Sequence, residues 1–357
     1  MDTRTFLPEW SQQWGVLLAW PHPDTDWADN LADAESCYAQ IVSAISQREN
    51  VLLLCHDAQH QAHIESVLFE PLTPRPPLPQ GERGSKEHVH FVQMPYNDTW
   101  ARDFGFITVM QDGKPLLLDF TFNAWGGKFD AALDNAVNAG LLQQPLLAGN
   151  TLQTHPLVME GGSLETDGQG TLLTTEICLL NPNRNPTLDR AAIEAQLRDS
   201  LGVERILWLA EGHLEGDDTD AHIDTLARFA DPHSIVYMSC DDPADSHYPA
   251  LQAMQAEIQA LRQADGSAYR LFPIPLPAGI YDEERRLPAS YVNFLIINGA
   301  VLLPVYADER CDPIAIAQMQ AAFPQHEIIP IDCRALIAQN GSLHCVTMQI
   351  PQEVVKV

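Results

Sequence analysis

The stretch Gly341-Ser342-Leu343-His344-Cys345-Val346-Thr347-Met348-Gln349-Ile350-Pro351 places one thiol in an apolar, β-branched run that follows Asn340-Gly341 and closes at Pro351. The pattern predicts that Cys345 sits where a turn becomes a buried strand. A thiol there is a nucleophile only if a base or a positive field lowers its pKa. Otherwise it is a small core hydrophobe, as Cys178 and Cys333 look to be. Three upstream segments carry groups that could act on it: Trp100-Ala101-Arg102-Asp103, Glu160-Gly161-Gly162 and Asp218-Thr219-Asp220-Ala221-His222-Ile223-Asp224.

Each segment has a chemical reading and a plainer one. His222 and Asp224 lie two apart ahead of the apolar run 225–229, so in an extended chain they share a face with Asp220. That face could present a base and a carboxylate to a pocket, or supply a facial set of metal ligands. It could equally be an acidic surface loop leading into an ordinary strand. Asp103 would be costly to bury alone and should face a cation, either Arg102 or a ligand. Glycines after Glu160 let a ligand or another backbone approach the carboxylate, or simply make a tight turn.

The elements that must position these groups alternate in type. Strands are expected over 14–20, 51–55 and 89–94, with helices over 31–48 and 58–68 between them. Hairpins are expected between 104–110 and 116–120 around Gln111-Asp112-Gly113-Lys114, and between 163–166 and 171–175 around Asp167-Gly168-Gln169-Gly170. A helix follows to about Leu201 with Thr187 as its cap. Further strands are expected over 206–209, 225–229, 235–239, 270–273, 292–297, 300–304 and 327–331, and helices over 247–263 and 312–322. The proline-rich segment 71–86 reads as an exposed loop insertion. No composition break divides the 357 residues, so repeated α/β units in one domain spanning 1–357 are expected.

Composition narrows the function classes. A net charge of −28 repels nucleic acid and anionic membrane and concentrates small cations. Seven scattered cysteines without a Cys-x-x-Cys pair fit neither a disulfide framework nor a thiolate zinc site and point to a reducing compartment. The amino terminus lacks the pattern of a signal peptide, and no apolar run is long enough to span a membrane, so a cytoplasmic protein is expected.

Taken in order, the segments resemble the agmatine deiminases, in the family of bacterial peptidyl-arginine deiminases and the wider guanidino-group-modifying pentein enzymes. The resemblance is carried by Asn97-Asp98-Thr99-Trp100-Ala101-Arg102-Asp103-Phe104-Gly105, Phe122-Asn123-Ala124-Trp125-Gly126-Gly127-Lys128, Met159-Glu160-Gly161-Gly162-Ser163, Leu180-Asn181-Pro182-Asn183-Arg184-Asn185-Pro186, residues 218–224, Ala289-Ser290-Tyr291-Val292-Asn293-Phe294 and Leu343-His344-Cys345-Val346-Thr347. It implies an α/β fold, the pentein five-fold pseudosymmetric α/β propeller, with the active site on its axis.

It also implies roles: Cys345 the nucleophile, His222 the general acid/base, Asp103 and Asp224 the carboxylates that grip a guanidinium, Glu160 the partner that orients His222 and the guanidinium, and Trp100 a pocket wall. The implied reaction needs neither metal nor cofactor. It converts agmatine to N-carbamoylputrescine and ammonia through an amidino-cysteine, on the route to putrescine. The alternative within this chemistry is deimination of a peptide's arginine, and a remoter one is a non-catalytic polyamine-binding protein. Asp217, Asp218 and Asp220 are candidates by charge for a substrate's distal amine. Oligomeric state stays open, with a homo-oligomer compatible. Phe106, Thr225 and Asn340-Gly341-Ser342 depart from the family pattern without removing a catalytic group.

Overall fold

Five sheets repeat one chain path in the computed structural model, which describes residues 4–69 and 85–355. In each, two strands pair antiparallel, a helix crosses over, and a third strand returns parallel to the second. The path runs Ile107–Gln111, Lys114–Thr121, the helix Asp134–Leu141 and Thr151–Val158 in one unit, with Arg4–Phe6 added at its edge. It recurs as Glu165–Thr166, Thr171–Thr175, Arg190–Leu201 and Arg205–Leu209. It recurs again as Ala227–Asp231, Ser234–Ser239, Tyr248–Ala260 and Arg270–Pro275, and as Leu295–Ile297, Ala300–Val305, Cys311–Ala322 and Glu327–Asp332.

The fifth unit joins the two ends of the chain. Thr347–Pro351 pairs antiparallel with Gln13–Ala19, the helix Leu31–Ser46 crosses over, and Asn50–Cys55 returns parallel, with Val89–Gln93 beyond it. The result is the five-fold α/β propeller of the pentein enzymes.

Local sequence explains the elements. Gln13–Ala19 lies between a parallel and an antiparallel neighbour and is buried along its whole length, which is why residues 16–19 read as an unbroken apolar run. Along Leu31–Ser46, Ala34, Cys37, Tyr38, Ile41, Val42 and Ile45 fall inward at helical spacing. Asp112 and Gly113 both take positive φ, the mirror-type turn whose twist suits a two-residue hairpin. No helix among the described residues is long and apolar enough to cross a membrane.

The structure corrects several expectations. Phe104 belongs to the short helix Ala101–Phe104, not to the following strand. The helix expected to start after Pro186 begins at Arg190, capped by Asp189, whose side chain accepts from the Ala192 N–H. The strand placed at 225–229 begins only at Ala227, because Ile223–Thr225 is a 3-10 turn. The helix Asp134–Leu141 and the strand Thr151–Val158 had no counterpart in the sequence reading. The insertion at 71–86 lies outside the described residues except at Ser85 and Lys86, where a short 3-10 turn runs over Lys86–His88.

Candidate active site

The groups picked from the sequence all stand in the segments that lead into the first strand of a unit. Asp103 precedes Ile107–Gln111, Glu160 precedes Glu165–Thr166, His222 and Asp224 precede Ala227–Asp231, and Cys345 precedes Thr347–Pro351. The remaining unit contributes Asn293, ahead of Leu295–Ile297. Five equivalent positions in five repeated units converge, so residues distant in sequence become neighbours.

Gly162 marks the point of convergence. A Cβ there would lie 2.5 Å from His222 Nδ1, 2.9 Å from Asp103 Oδ1 and 3.2 Å from Asp224 Oδ2, so only glycine fits among the three. Its N–H donates to Asp103 Oδ1 at 3.0 Å, and Trp125 Nε1 donates to Asp103 Oδ2 at 2.9 Å. Trp125 reaches Asp103 from a left-handed turn in which Ala124 and Trp125 both have positive φ. That conformation costs roughly 1–2 kcal/mol per non-glycine residue. Arg102 does not pair with Asp103: its guanidinium reaches Gln349 Oε1 at 2.6 Å and Glu9 Oε2 at 3.4 Å. The local ion pair is therefore excluded, and Asp103 faces the site.

His222 is fully buried, with Nδ1 3.7 Å from Asp103 Oδ1 and Nε2 3.9 Å from Glu160 Oε2. Neither nitrogen has a hydrogen-bond partner among the described residues. Burial opposes the charged ring, but Asp103, Cys178 and Glu160 outweigh it and raise its pKa above the ordinary imidazole value. Glu160 is held by Arg184, whose Nε lies 3.0 and 2.8 Å from its two oxygens. Burial pushes the Glu160 carboxyl up, yet His222 and Arg184 hold it below its usual value.

Cys345 sits in the turn just before its strand, as expected, and is buried. Its sulfur lies 3.4 Å from Asn293 Oδ1, and the same oxygen accepts from the His344 N–H at 2.9 Å. Burial first, then the carboxylates of Asp224 and Asp103, push the thiol well above its normal pKa. Asp103 is itself raised to about 6 by burial and by Asp224 and Glu160, with His222 opposing.

Cys345 and Asp103 also line a cavity of about 230 Å³ walled by Trp100, Phe122, Trp125 and Phe129. Gly341 lies against the Trp100 ring, where a Cβ would come within 2.1 Å of it. Seven aspartates line this space: Asp24, Asp26, Asp98, Asp103, Asp130, Asp134 and Asp218. Among the described residues no lysine, arginine or histidine does. Of the three candidates for a distal amine, Asp218 lines this cavity, while Asp217 and Asp220 do not. The Asp220 carboxylate pairs with Arg184 at 2.7 Å and Asn183 at 3.1 Å, because left-handed φ at Asp220 and Ala221 turns the chain there.

The facial set Asp220, His222, Asp224 therefore does not assemble. Among the described residues, the His, Cys and carboxylate atoms that do come together, within 4.8 Å of one another, are those of Glu160, Cys178 and His222, and Glu160 is already paired with Arg184. Glu9, Arg184, Asn293 and the side chain of His344 escaped the sequence reading. Asn293 and His344 stand as polar residues inside apolar runs, whereas Arg184, in Asn181-Pro182-Asn183-Arg184-Asn185-Pro186, has no such local signal.

A thiol, an imidazole and opposed carboxylates at the meeting point of five such units define a guanidino-group-modifying enzyme of the pentein class. The chain belongs to the Porphyromonas-type peptidyl-arginine deiminase family, whose profile matches residues 5–351. It is 34% identical to an agmatine deiminase of Stutzerimonas stutzeri, covering 98% of this chain and 96% of that one. Among solved structures, a Porphyromonas gingivalis protein provisionally assigned as an arginine deiminase is 48% identical with a TM-score of 0.89, covering 99% of this chain and all of that one. A cysteine-to-serine variant of C. jejuni agmatine deiminase with substrate bound is 37% identical with a TM-score of 0.88, covering 98% and 96%.

Proposed function

We propose that the chain hydrolyses agmatine to N-carbamoylputrescine and ammonia through a covalent amidino-cysteine. The observation that carries the choice of substrate is that the charged side chains lining the cavity are all aspartates, which suits a substrate with a guanidinium at one end and an ammonium at the other. A free or peptide-terminal arginine brings a carboxylate; among the described residues no cation lines the cavity, and Lys128 beside Asp218 is engaged by the Asp218 carbonyl and the Asp220 carboxylate. Asp218 is the distal carboxylate we favour for the ammonium, since Asp217 spends its oxygens on Thr219 and Ala221 and Asp220 on Arg184.

The residues account for each step. Asp103 and the unbonded oxygen of Asp224 take the edges of the planar guanidinium and leave its carbon open to Cys345. The bound cation offsets the two carboxylates that keep the thiol neutral, so the thiolate forms with substrate in place and its proton passes to solvent. The sulfur adds to the carbon. His222, as imidazolium, gives its proton to the departing nitrogen, and ammonia leaves an amidino-thioether. The neutral imidazole then takes a proton from water, the hydroxide adds to the same carbon, and expulsion of the thiolate with loss of a proton leaves the ureido product. Each unit supplies a group to this site and the last strand closes the unit that joins the two ends of the chain, which supports reading residues 1–357 as one catalytic domain.

Ammonia release from agmatine, arginine and peptides ending in arginine tests the proposal. Agmatine should be turned over with a kcat/KM at least about a hundredfold above the arginine compounds, the scale of leaving a buried charge unpaired. Turnover of the arginine compounds alone would reverse the choice.

A further inference from the structure

His344 precedes the nucleophile in sequence, yet its side chain points away from the cavity into a buried chain of charges. Its Nδ1 lies 2.7 Å from Asp224 Oδ2 and its Nε2 2.7 Å from Glu9 Oε2. Both distances are those of charge-assisted hydrogen bonds. An ionised carboxylate only accepts, so each ring nitrogen of His344 faces an acceptor oxygen, Asp224 on one side and Glu9 on the other. Glu9 is in turn fixed by Arg228 Nη2 at 2.8 Å, by Arg102 Nη2 at 3.4 Å and by the Ile296 N–H, which meets its other oxygen at 2.7 Å. The His344 backbone is held by Asn293.

At the far end of this chain, Asp224 is completely buried and its Oδ1 has no hydrogen-bond partner among the described residues. A buried carboxylate oxygen left open is costly unless a ligand's donor fills it. One carboxylate oxygen is therefore pinned and the other left free, on the same residue.

We propose that His344, anchored by Glu9, is a positioning residue that fixes the Asp224 carboxylate so that Oδ1 meets the guanidinium in the plane Cys345 attacks. The inference rests on the deiminase reading and deepens it. It also gives a reason for His344 and Cys345 to be adjacent: one turn sets both the grip on the cation and the approach of the sulfur.

The test uses two partial isosteres. In His344→Asn the amide nitrogen stands near Nδ1 and keeps a donor toward Asp224, whereas in His344→Gln it reaches toward Nε2 and keeps only Glu9. His344→Gln should lower kcat/KM for agmatine about a hundredfold, chiefly through KM, and His344→Asn by less than about tenfold. Melting temperatures should fall alike in both, since each loses one buried hydrogen bond. In an Asp224→Asn background, His344→Gln should add little, because its effect travels through that carboxylate.

Equal losses in the two variants, losses that follow melting temperature, or effects that multiply in the double variant would overturn the inference. Should His344→Gln not fold, Glu9→Gln replaces it: agmatine affinity should fall while iodoacetamide alkylation of Cys345 keeps its rate, and unchanged affinity would overturn the inference. Should the parent enzyme release no ammonia from agmatine, the activity reading fails separately, and the same comparisons are then made on calorimetric binding of guanidinium chloride.

Discussion

Burial and a crowding of acids raise the pKa of both the Cys345 thiol and the Asp103 carboxyl, and a guanidinium relieves both. Changing Cys345 to Ser should cut turnover by at least about a thousandfold while calorimetric binding of agmatine persists. Asp103, raised to about 6, is ionised above that pH and neutral below it. Since only the carboxylate pairs with the guanidinium, kcat/KM should fall as pH drops through about 6, and a flat acid limb would exclude Asp103 from binding. The groups facing it, His222, Asp224 and Glu160, shift the same limb. Asp103→Asn removes one of the charges that push the thiol up, so the iodoacetamide profile of Cys345 should move to lower pH even as turnover is lost.

The short segments ahead of each unit's first strand carry the chemistry, and the strands behind them hold those segments still. Gly162 stands in one of them against three site groups. Gly162→Ala should therefore abolish activity while costing the fold at most a few kcal/mol, as overpacking does. Circular dichroism beside the ammonia assay separates the two effects. Asp189→Ala provides the contrast: loss of a helix cap should lower stability by about 1 kcal/mol with kcat/KM unchanged. The apolar periodicity of Leu31–Ser46 and the turn chemistry at Asp112-Gly113 made those elements legible. The segment 220–225 was not, because a pair of left-handed residues and a 3-10 turn replace the alternation its residues imitate. His222 and Asp224 reach the site by that turn, and Asp220 is carried away from it.

For the whole molecule, a net charge of −28 and a cavity lined by aspartates should draw a small dication inward. Raising ionic strength from about 0.05 to about 0.5 M should increase KM for agmatine severalfold and leave kcat nearly unchanged, as screening weakens the long-range field. An unchanged KM would confine the electrostatics to the buried site. By itself the sequence determined the alternation of strands and helices, the thiol at a turn-to-strand junction and the family to which those motifs belong, since each is written in residues close along the chain. Only the tertiary structure decided that Thr347–Pro351 closes on Gln13–Ala19, that Arg184 and Glu9 hold Glu160 and His344, and that Asp220 is absent from the cavity. Those outcomes depend on the pairing of segments far apart in the chain, and on which buried charge finds a partner first.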